Sequence, residues 1–342
     1  MHPTRDLPSL CALVVLAATN PAASGAVGHP GLQAELTSLS RTVSGRVGAC
    51  IADGTTPPVC VNGSQRFSIQ SVMKLLVGVA VMDAVDAGRW RLDDPVTVHP
   101  RDLSVCLQPL AKLVTAKGYR TTTGDLMRRA IVDSDCTAAD VLIARLGGPA
   151  AVEAVLVRHG IKGVHIDRDE RHLQTETEGL AWRPDYADHA ALERAIAAVP
   201  KARRAAAYGA YLTDPRDTAT PEGMTALLQA LADGKLLSPA ATTHLLDVMS
   251  QTVTGPNRLR AGLQPGWSLA HKTGTSGDWD GVTAATNDVG VLTAPDGRKI
   301  AITVFVADSH DNEKKREGAI AAIGRAAMLA YTHGPGKNGA GQ

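Results

Sequence analysis

A serine and a lysine three positions apart, Ser71 and Lys74, open a long apolar run that extends to Met82. Apolar residues recur at helical spacing through this run and Gly88 follows it, so the pattern predicts a buried helix that begins near Ser71. Residues three apart share a helix face, and an amine beside a serine hydroxyl can take its proton and make it a nucleophile. On its own the S-x-x-K pattern is a weak signal, because a capping serine and a snorkelling lysine give the same letters.

Three further short stretches carry polar groups that could join such a site. Residues 134–136 (Ser-Asp-Cys) fall in a predicted turn between two helices. Residues 272–274 (Lys-Thr-Gly) end a predicted strand, where a glycine lets a substrate backbone approach closely. Residues 168–174 (Arg-Asp-Glu-Arg-His-Leu-Gln) open a long loop. Each alone also fits a plain role, as a helix cap, an edge-strand lysine or a solvated charge cluster, but the four in this order are hard to obtain by chance.

The predicted elements divide the chain into two lobes. Strand patterns occur near both ends and helix patterns fill the middle, which indicates an α/β (α+β) fold. We expect a mixed antiparallel sheet, flanked by terminal helices, beside an all-helical lobe. The sheet lobe would take residues 27–70 and 255–333, and the helical lobe residues 71–254, with a long loop at 166–219.

Individual elements follow from periodicity, turns and caps. Strands are predicted over 45–52 and 59–61, joined as a hairpin, and over 96–98, 267–273, 289–292 and 300–306. Helices are predicted over 30–43, 125–132 after a Thr123 cap, 138–145 after a Thr137 cap, 150–159, 187–198 within the long loop, 221–232, 239–250 and 313–331.

Composition and charge exclude several function classes. The chain has 342 residues, of which 44% are hydrophobic and 20% charged, enough for one large or two small domains. Its 35 lysines and arginines against 34 acidic residues leave a net charge of +1, and aromatic residues make up 3%. Neither a basic stripe nor base-stacking platforms are indicated, so we expect no nucleic-acid partner and no membrane-surface helix.

The first 26 residues have the pattern of an export signal. Arg5 precedes an apolar run over 10–18 and a zone of small residues over 22–26. The run is too short to span a bilayer, so we expect a periplasmic or secreted protein without a stable membrane anchor. At the other end, the glycine-rich residues 334–342 are expected to be disordered.

Cysteine usage agrees with export. Cys11 lies in the signal, and the other four cysteines are Cys50, Cys60, Cys106 and Cys136. An even number fits an oxidising compartment, and four cysteines allow three pairings. Facing hairpin positions could bring Cys50 and Cys60 within bridging distance. The cysteines and histidines lack zinc-ligand spacing, so we expect neither a metal nor a cofactor.

With these motifs, the sequence resembles the class A serine β-lactamases, whose pattern is S-x-x-K, S-D-N and K-T-G with a loop glutamate. The resemblance extends from about residue 30 to residue 333. It includes an Arg-x-Glu-x-x-Leu pattern formed by Arg168, Glu170 and Leu173. It also includes Asp-Thr-Ala-Thr-Pro at 217–221. It implies the fold of that family and a small-molecule β-lactam substrate; we expect a monomer.

Carried over residue by residue, the resemblance implies a covalent mechanism. Ser71 attacks the lactam carbonyl to form an acyl-enzyme. Lys74, or Glu170 acting through a held water, is the base in this step, a choice that is disputed for the family and stays open here. Glu170 then activates the water that releases the acyl group, with Gln174 beside it. Ser134 passes a proton to the departing lactam nitrogen.

The same resemblance implies a substrate-binding wall. The residues that hold the substrate carboxylate or line its path share one strand: Lys272, Thr273, Gly274 and Thr275. Backbone N–H groups of Ser71 and Thr275 would form the oxyanion hole. Arg258 would reinforce the carboxylate site, whereas Arg260 and Asp135 are expected to be structural.

Three features depart from the family pattern. Cys136 replaces a substrate-binding asparagine, and Cys106 stands near where many members carry an aromatic, so we predict bridges Cys106–Cys136 and Cys50–Cys60. Gln174 replaces an asparagine beside the hydrolytic water and still presents an amide. The loop that follows Gln174 is far longer than usual, and we hypothesise that it forms a lid that narrows substrate choice.

Other interpretations stay open at this point. A D-alanyl-D-alanine peptidase shares the serine, lysine and Lys-Thr-Gly parts but needs no water-activating carboxylate, so Glu170 favours the lactamase. A penicillin sensor would be acylated once and keep its ligand, but no anchor or signalling domain is visible. Arg168 either tethers Asp217 and so pins both ends of the long loop, or forms a solvated surface pair worth roughly 0–1 kcal/mol.

Overall fold

The computed structural model describes residues 29–332, so the expected export signal at 1–26 and the tail at 334–342 lie outside the described residues. Within 29–332, no helix is long and apolar enough to cross a membrane. The α-helices are α1 (Pro30–Leu39), α2 (Met73–Asp86), α3 (Thr123–Val132), α4 (Cys136–Leu146), α5 (Pro149–Arg158), α6 (Glu170–Thr177), α7 (His189–Ala198), α8 (Lys201–Leu212), α9 (Pro221–Ala232), α10 (Pro239–Ser250) and α11 (Glu313–Thr332).

One antiparallel sheet of five strands has the order β2-β1-β11-β10-β7, and three two-stranded ribbons pair β3 with β6, β4 with β5 and β8 with β9. The strands are β1 (Arg46–Ala52), β2 (Val59–Val61), β3 (Phe67–Ser68), β4 (Pro95–Val98), β5 (Tyr119–Thr122), β6 (Thr218–Ala219), β7 (Ser268–Thr275), β8 (Asp278–Trp279), β9 (Val282–Thr283), β10 (Thr286–Thr293) and β11 (Lys299–Ala307).

Alternate residues of β11 face two separate apolar clusters. Ile302 and Val304 belong to a cluster with side chains of α1 and α11, whereas Phe305 belongs to the larger cluster made with the helical lobe. This period of two is what a sheet buried on both faces requires, and helices cover each side. The expected antiparallel sheet, terminal helices and helical lobe are confirmed; the lobe boundaries drawn from the sequence stay a prediction.

Helix α2 is buried on every side over its first ten residues, from Met73 to Met82. Packing around it is close: a Cβ on Gly78 would lie 2.8 Å from Cδ1 of Ile131. A helix enclosed in this way needs no polar face, which explains its nearly unbroken apolar sequence. The one charged side chain in this buried stretch is Lys74, so the fold places a cation deep in the helical lobe.

Two predicted helix caps are wrong by one or two residues. Thr122, not Thr123, caps α3 by accepting a hydrogen bond from the Asp125 backbone N–H. Asp135, not Thr137, caps α4 by accepting from the backbone N–H three positions on. In both places two cap-forming residue types lie close together, and periodicity alone does not choose between them.

The long loop at 166–219 contains three helices, where one was predicted. Helix α7 corresponds to the prediction at 187–198, and α6 begins at Glu170. Helix α8 was missed because its alanine- and arginine-rich sequence buries only two side chains, Tyr208 and Tyr211. Two buried positions do not make the apolar stripe from which a helix is usually predicted.

Candidate active site

The Ser71 hydroxyl lies at the entrance to α2. Ser71 is the middle residue of a 3₁₀ turn over 70–72 that leads directly into the helix. Lys74, in the first turn of α2, donates a hydrogen bond from Nζ to Ser71 Oγ at 2.8 Å. The preceding Gln70 has a φ of 48°, a left-handed conformation that a glutamine adopts only where its surroundings hold it. The predicted serine–lysine pair is therefore in contact.

Glu170, the first residue of α6, brings a carboxylate to the same amine. Its Oε1 lies 2.6 Å from Lys74 Nζ and accepts from Ser71 Oγ at 3.4 Å. Burial alone would raise the pKa of Glu170, but the charge of Lys74 and hydrogen bonds from Lys74 and Gln174 outweigh it and keep the pKa below its ordinary value. Glu170 is therefore an ionised carboxylate at neutral pH, shielded from solvent.

A buried carboxylate in α4 holds the start of α6. Asp140 accepts hydrogen bonds from the backbone N–H groups of Glu170 at 2.8 Å and Arg171 at 3.2 Å, and from the Ser104 hydroxyl at 2.6 Å. Burial and the nearby Asp169 carboxylate raise the pKa of Asp140 to about 6, against the attraction of Arg171. Asp140 was not predicted from the sequence, where the available signal is a single acidic residue in the apolar sequence of α4.

Gln174 connects the carboxylate to the inserted helices. Its Nε2 donates to Glu170 Oε2 at 3.1 Å and to Gln70 Oε1 at 2.8 Å. The Gln70 amide in turn donates to the hydroxyl of Tyr211 in α8, whose pKa burial raises to about 12. This link was not predictable from the sequence, because Gln70 and Tyr211 lie 141 residues apart. A hydrogen-bonded chain therefore runs from α8 to the neighbour of Ser71.

Ser134 lies between two lysines. Lys272 Nζ donates to Ser134 Oγ at 2.9 Å, and Lys74 Nζ lies 3.5 Å from the same oxygen. Burial and then the charge of Lys74 lower the pKa of Lys272 well below its ordinary value. Ser134 has a φ of 59°, so its hydroxyl is presented from a left-handed turn. Asp135 below it accepts from the Leu110 backbone N–H at 2.7 Å, in the expected structural role.

Arg258 reaches the end of β7. Its Nη2 donates to Thr275 Oγ1 at 2.8 Å and its Nη1 to the Gly274 carbonyl at 3.3 Å, while Nε pairs with Glu317 at 3.0 Å. Arg260 turns away and donates to backbone carbonyls, including one 2.9 Å away, in the structural role expected for it. The guanidinium of Arg258 is thus fixed beside the strand that carries the Lys-Thr-Gly motif.

Both predicted disulfides are present. Cys50–Cys60 joins β1 to β2, and Cys106–Cys136 joins a loop to the start of α4. Cys136 Sγ lies 3.5 Å from Lys74 Nζ, but a disulfide sulfur donates no hydrogen bond. The ligand atoms of Cys106, Cys136 and Glu170 lie within 4.8 Å of one another, yet both sulfurs are bonded and neither is the thiolate that a metal would bind.

An ion pair joins the two ends of the long loop. Arg168 Nε lies 2.6 Å from Asp217 Oδ2, and the two side chains are 7% and 0% exposed. Asp217 also accepts from the backbone N–H groups of Asp167 and Arg168 at 2.7 and 3.0 Å. The solvated-pair alternative for Arg168 is therefore wrong, because both partners are buried.

These groups surround a cleft of about 330 Å³. Predicted site residues on its surface are Ser71, Ser134, Cys136, Gln174, Arg258, Thr273, Gly274 and Thr275. Lys74, Glu170 and Lys272 lie directly behind this wall with no exposed side-chain surface. All eleven predicted site residues are therefore brought together, three of them as buried charges beneath the cleft.

Comparison with known proteins agrees with this geometry. The β-lactamase enzyme family matches residues 31–332. The chain belongs to the class A β-lactamases. It is 27% identical to β-lactamase VEB-1 of Pseudomonas aeruginosa over 303 residues, 88% of this chain and 90% of that one. It is 28% identical to extended-spectrum β-lactamase PER-1 of the same species over 271 residues, 79% and 77% of the two chains.

Solved structures give the same result. A β-lactamase from Chitinophaga pinensis has a TM-score of 0.72 at 30% identity, covering 88% of this chain and 99% of that one. An ancestral class A β-lactamase has a TM-score of 0.70 at 33% identity, covering 87% and 99%. The protein is thus a serine β-lactamase, a hydrolase; the Cys106–Cys136 bridge and Gln174 line its cleft, and Asp140 holds the helix that carries Glu170.

Proposed function

We propose that this β-lactamase opens the lactam amide of penicillins and cephalosporins through an acyl-enzyme on Ser71, which water activated by Glu170 then hydrolyses. One observation carries the proposal. The ionised, buried Glu170 carboxylate lies 3.4 Å from Ser71 Oγ and 2.6 Å from Lys74 Nζ. A covalent intermediate formed on Ser71 would therefore have a base next to it, which an enzyme that only captures its ligand does not need.

Acylation requires the Ser71 proton to leave as the hydroxyl attacks. Lys74 contacts Ser71 Oγ at 2.8 Å and pairs with Glu170. The Glu170 carboxylate can accept the proton, and the Lys74 amine can accept it once its own ammonium proton has passed to Glu170. We leave the choice between them open. The backbone N–H groups of Ser71 and Thr275 would bind the developing oxyanion, each worth about 3–4 kcal/mol of barrier.

The close approach of β7 to the nucleophile supports this oxyanion hole. A Cβ on Gly274 would lie 2.4 Å from the Ile69 carbonyl oxygen and 3.2 Å from the Val72 nitrogen. Only glycine fits there, and its small size lets the strand end lie beside the turn that carries Ser71.

Ser134 is placed to protonate the departing lactam nitrogen. Its hydroxyl accepts from Lys272 at 2.9 Å and lies 3.5 Å from Lys74 Nζ, so a donated proton can be replaced from either amine. The substrate carboxylate would bind at Lys272, Thr273 and Thr275, with Arg258 adding charge through its contact with Thr275.

Deacylation needs a positioned water. Gln174 Nε2 donates to Glu170 Oε2 at 3.1 Å and lines the cleft, so the amide and the carboxylate together define a polar position near Ser71. Glu170 would take a proton from a water bound there, and the resulting hydroxide would attack the acyl carbonyl.

We also propose that the enzyme is exported and acts as a monomer. The signal-like first 26 residues and two disulfides suit an oxidising compartment outside the cytoplasm. The residues named above all come from one chain, so the site is complete without a second copy.

Nitrocefin hydrolysis tests the proposal. We expect sustained turnover by the unsubstituted enzyme and none by Ser71→Ala. A single stoichiometric burst without turnover would indicate a sensor and contradict the proposal. Absence of turnover together with release of D-alanine from a D-alanyl-D-alanine peptide would indicate the peptidase.

A further inference from the structure

We propose that the inserted helices α7 and α8 form a subsite for an uncharged, apolar aryl or alkyl group on the acyl side chain of the β-lactam. This inference rests on the proposed function, because it concerns how the same substrate is selected. The segment was expected to form a lid that narrows substrate choice, and this inference names the group for which it would select.

The pocket is continuous with the catalytic cleft. A second cavity of about 250 Å³ lies between the inserted helices, α6 and the loop after β7. It shares four wall residues with the cleft: Cys106, Gln174, Ser276 and Gly277. Because Gln174 contacts Glu170, a group extending past Gln174 from a lactam at Ser71 would enter this cavity.

Apolar side chains form two sides of the cavity. Leu192 and Ile196 lie four residues apart on α7, so they share one face of that helix, and both are only partly buried. Val105 and Tyr208 line it from the other side and are themselves buried. No side chain described for α7 is fully buried, so its apolar face still has surface for a ligand to cover.

The walls are fixed before any ligand arrives. The Tyr208 hydroxyl lies 2.9 Å from both the Gly277 and the Val282 carbonyl oxygens and accepts from the Ala284 backbone N–H at 3.0 Å. At the start of α7, Gln108 Nε2 donates to the Ala187 carbonyl at 3.1 Å. A preformed apolar pocket of this kind binds an apolar group without a large ordering cost.

Charge at the rim disfavours an anionic group. Glu193 lines the cavity and is exposed; its one ion-pair partner within residues 29–332 is the exposed His189, 3.9 Å away. Glu178, also in the wall, is already paired with Arg204. A side-chain carboxylate would therefore meet acidic groups without a free cation, whereas a phenyl or alkyl group would meet Leu192 and Ile196.

Filling the pocket tests the inference. We expect Ile196→Trp to lower kcat/KM for benzylpenicillin about tenfold while leaving kcat/KM for 6-aminopenicillanic acid, which lacks the acyl group, unchanged. Ala197→Trp, an exposed neighbour on α7 outside the cavity wall, is the matched control and should change neither value. Equal changes for both substrates, or no change for either, would overturn the subsite.

The test separates the two proposals. If the unsubstituted enzyme hydrolyses neither substrate, the proposed function fails and the subsite with it; if it hydrolyses both and Ile196→Trp does not discriminate, only the subsite fails. A crystal structure of the Glu170→Gln acyl-enzyme with benzylpenicillin gives a second readout. We expect its phenyl ring against Leu192 and Ile196, and a ring directed into solvent would contradict the inference.

Discussion

Three ionisable side chains, Lys74, Glu170 and Lys272, lie together beneath the cleft without solvent contact. A buried charge is costly unless it is paired, and here each has partners: Lys74 and Glu170 pair directly, and Lys272 donates to Ser134. Burial and the charge of Lys74 disfavour the ammonium form of Lys272. A substrate carboxylate bound beside Lys272 would supply an opposite charge and offset part of that cost.

Replacing Lys272 by arginine should move the alkaline limb of the kcat/KM profile to higher pH. The pKa of Lys272 lies well below its ordinary value, so the unsubstituted enzyme loses this ammonium, and with it carboxylate binding, at a lower pH than a surface lysine would. Arginine keeps its charge throughout that range. The measurement is the pH profile of kcat/KM for one penicillin with each enzyme, and the quantity compared is the pH of the alkaline limb rather than the maximum rate. Alkaline limbs at the same pH in the two enzymes would contradict the role of Lys272 in carboxylate binding.

At the residue scale, the sequence predicted the polar side chains that meet at the cleft but not the residues that support them. Ser71, Lys74 and Lys272 each belong to a short sequence motif, so their chemical roles can be predicted from neighbouring residues alone. Asp140 and Tyr211 act only through contacts made across the fold, 30 and 141 residues from Glu170 and Gln70 respectively. Nothing in local spacing identifies such a partner, because the contact exists only once α4, α6 and α8 are packed.

At the scale of elements, helix α6 is held at both of its flanks. Asp140 in α4 accepts from its first two backbone N–H groups, and the Arg168–Asp217 pair closes the loop around it. A helix of eight residues is too short to be stable alone, so these contacts determine where Glu170 points.

Asp140→Asn should flatten the pH dependence of stability between about pH 4 and 6. The folded pKa of about 6 lies above the unfolded value, so the folded protein retains a proton that the unfolded chain has lost. Stability from this group therefore falls as pH rises through that window, by about 3 kcal/mol in total. Urea unfolding at several pH values measures the slope, and an unchanged slope in Asp140→Asn would contradict the assignment.

Asp217→Asn should lower the free energy of unfolding by about 3 kcal/mol and slow turnover. Removing one partner leaves Arg168 buried with an uncompensated part of its charge, although Glu176 and Asp214 still contact it. Asparagine is used because Asp217 has a φ of 50°, which asparagine tolerates.

Asp185→Asn, which breaks the exposed ion pair with Arg183 in the same loop, is the control and should lower the free energy of unfolding by less than about 1 kcal/mol. Equal small losses for both variants would reject the tether.

Helices and strands with a strong hydrophobic period or clear capping and turn residues were predictable. Those defined by tertiary packing were not. Strand β11 was predicted because it is an unbroken β-branched and apolar run. The Asp296-Gly297 turn also predicted its hairpin with β10. Its pairing with β1 was not predicted, because nothing local in the sequence relates strands from opposite ends of the chain. Helix α8 was not predicted, because its alanine-rich sequence directs two tyrosines toward the site and has no apolar stripe that packs on a core.

At the scale of the molecule, the two disulfides serve different regions. Cys50–Cys60 staples the edge of the sheet, whereas Cys106 and Cys136 line the cleft. The sequence separations of 10 and 30 residues correspond to loop-closure contributions of about 3 and 4 kcal/mol. Stability should therefore depend on both bridges, but activity on one.

Paired serine substitutions measure this difference. We expect Cys106→Ser with Cys136→Ser to lower both the free energy of unfolding and kcat/KM, because the freed loop forms the cleft wall. Cys50→Ser with Cys60→Ser should lower stability by about 3 kcal/mol and leave kcat/KM within about twofold. Equal kinetic losses in the two double variants would show that the cleft bridge has no particular role in activity.

The Glu170 carboxylate faces Ser71 across 3.4 Å. Glu170→Gln keeps the shape of that side chain but removes its basicity. Lys74 remains as the other candidate base for acylation, so the acyl group should form on Ser71 and stay. Mass spectrometry of the variant after mixing with benzylpenicillin should find the Ser71 adduct persisting, with release slowed about a thousandfold against the unsubstituted enzyme. Release at the unsubstituted rate would contradict the central claim.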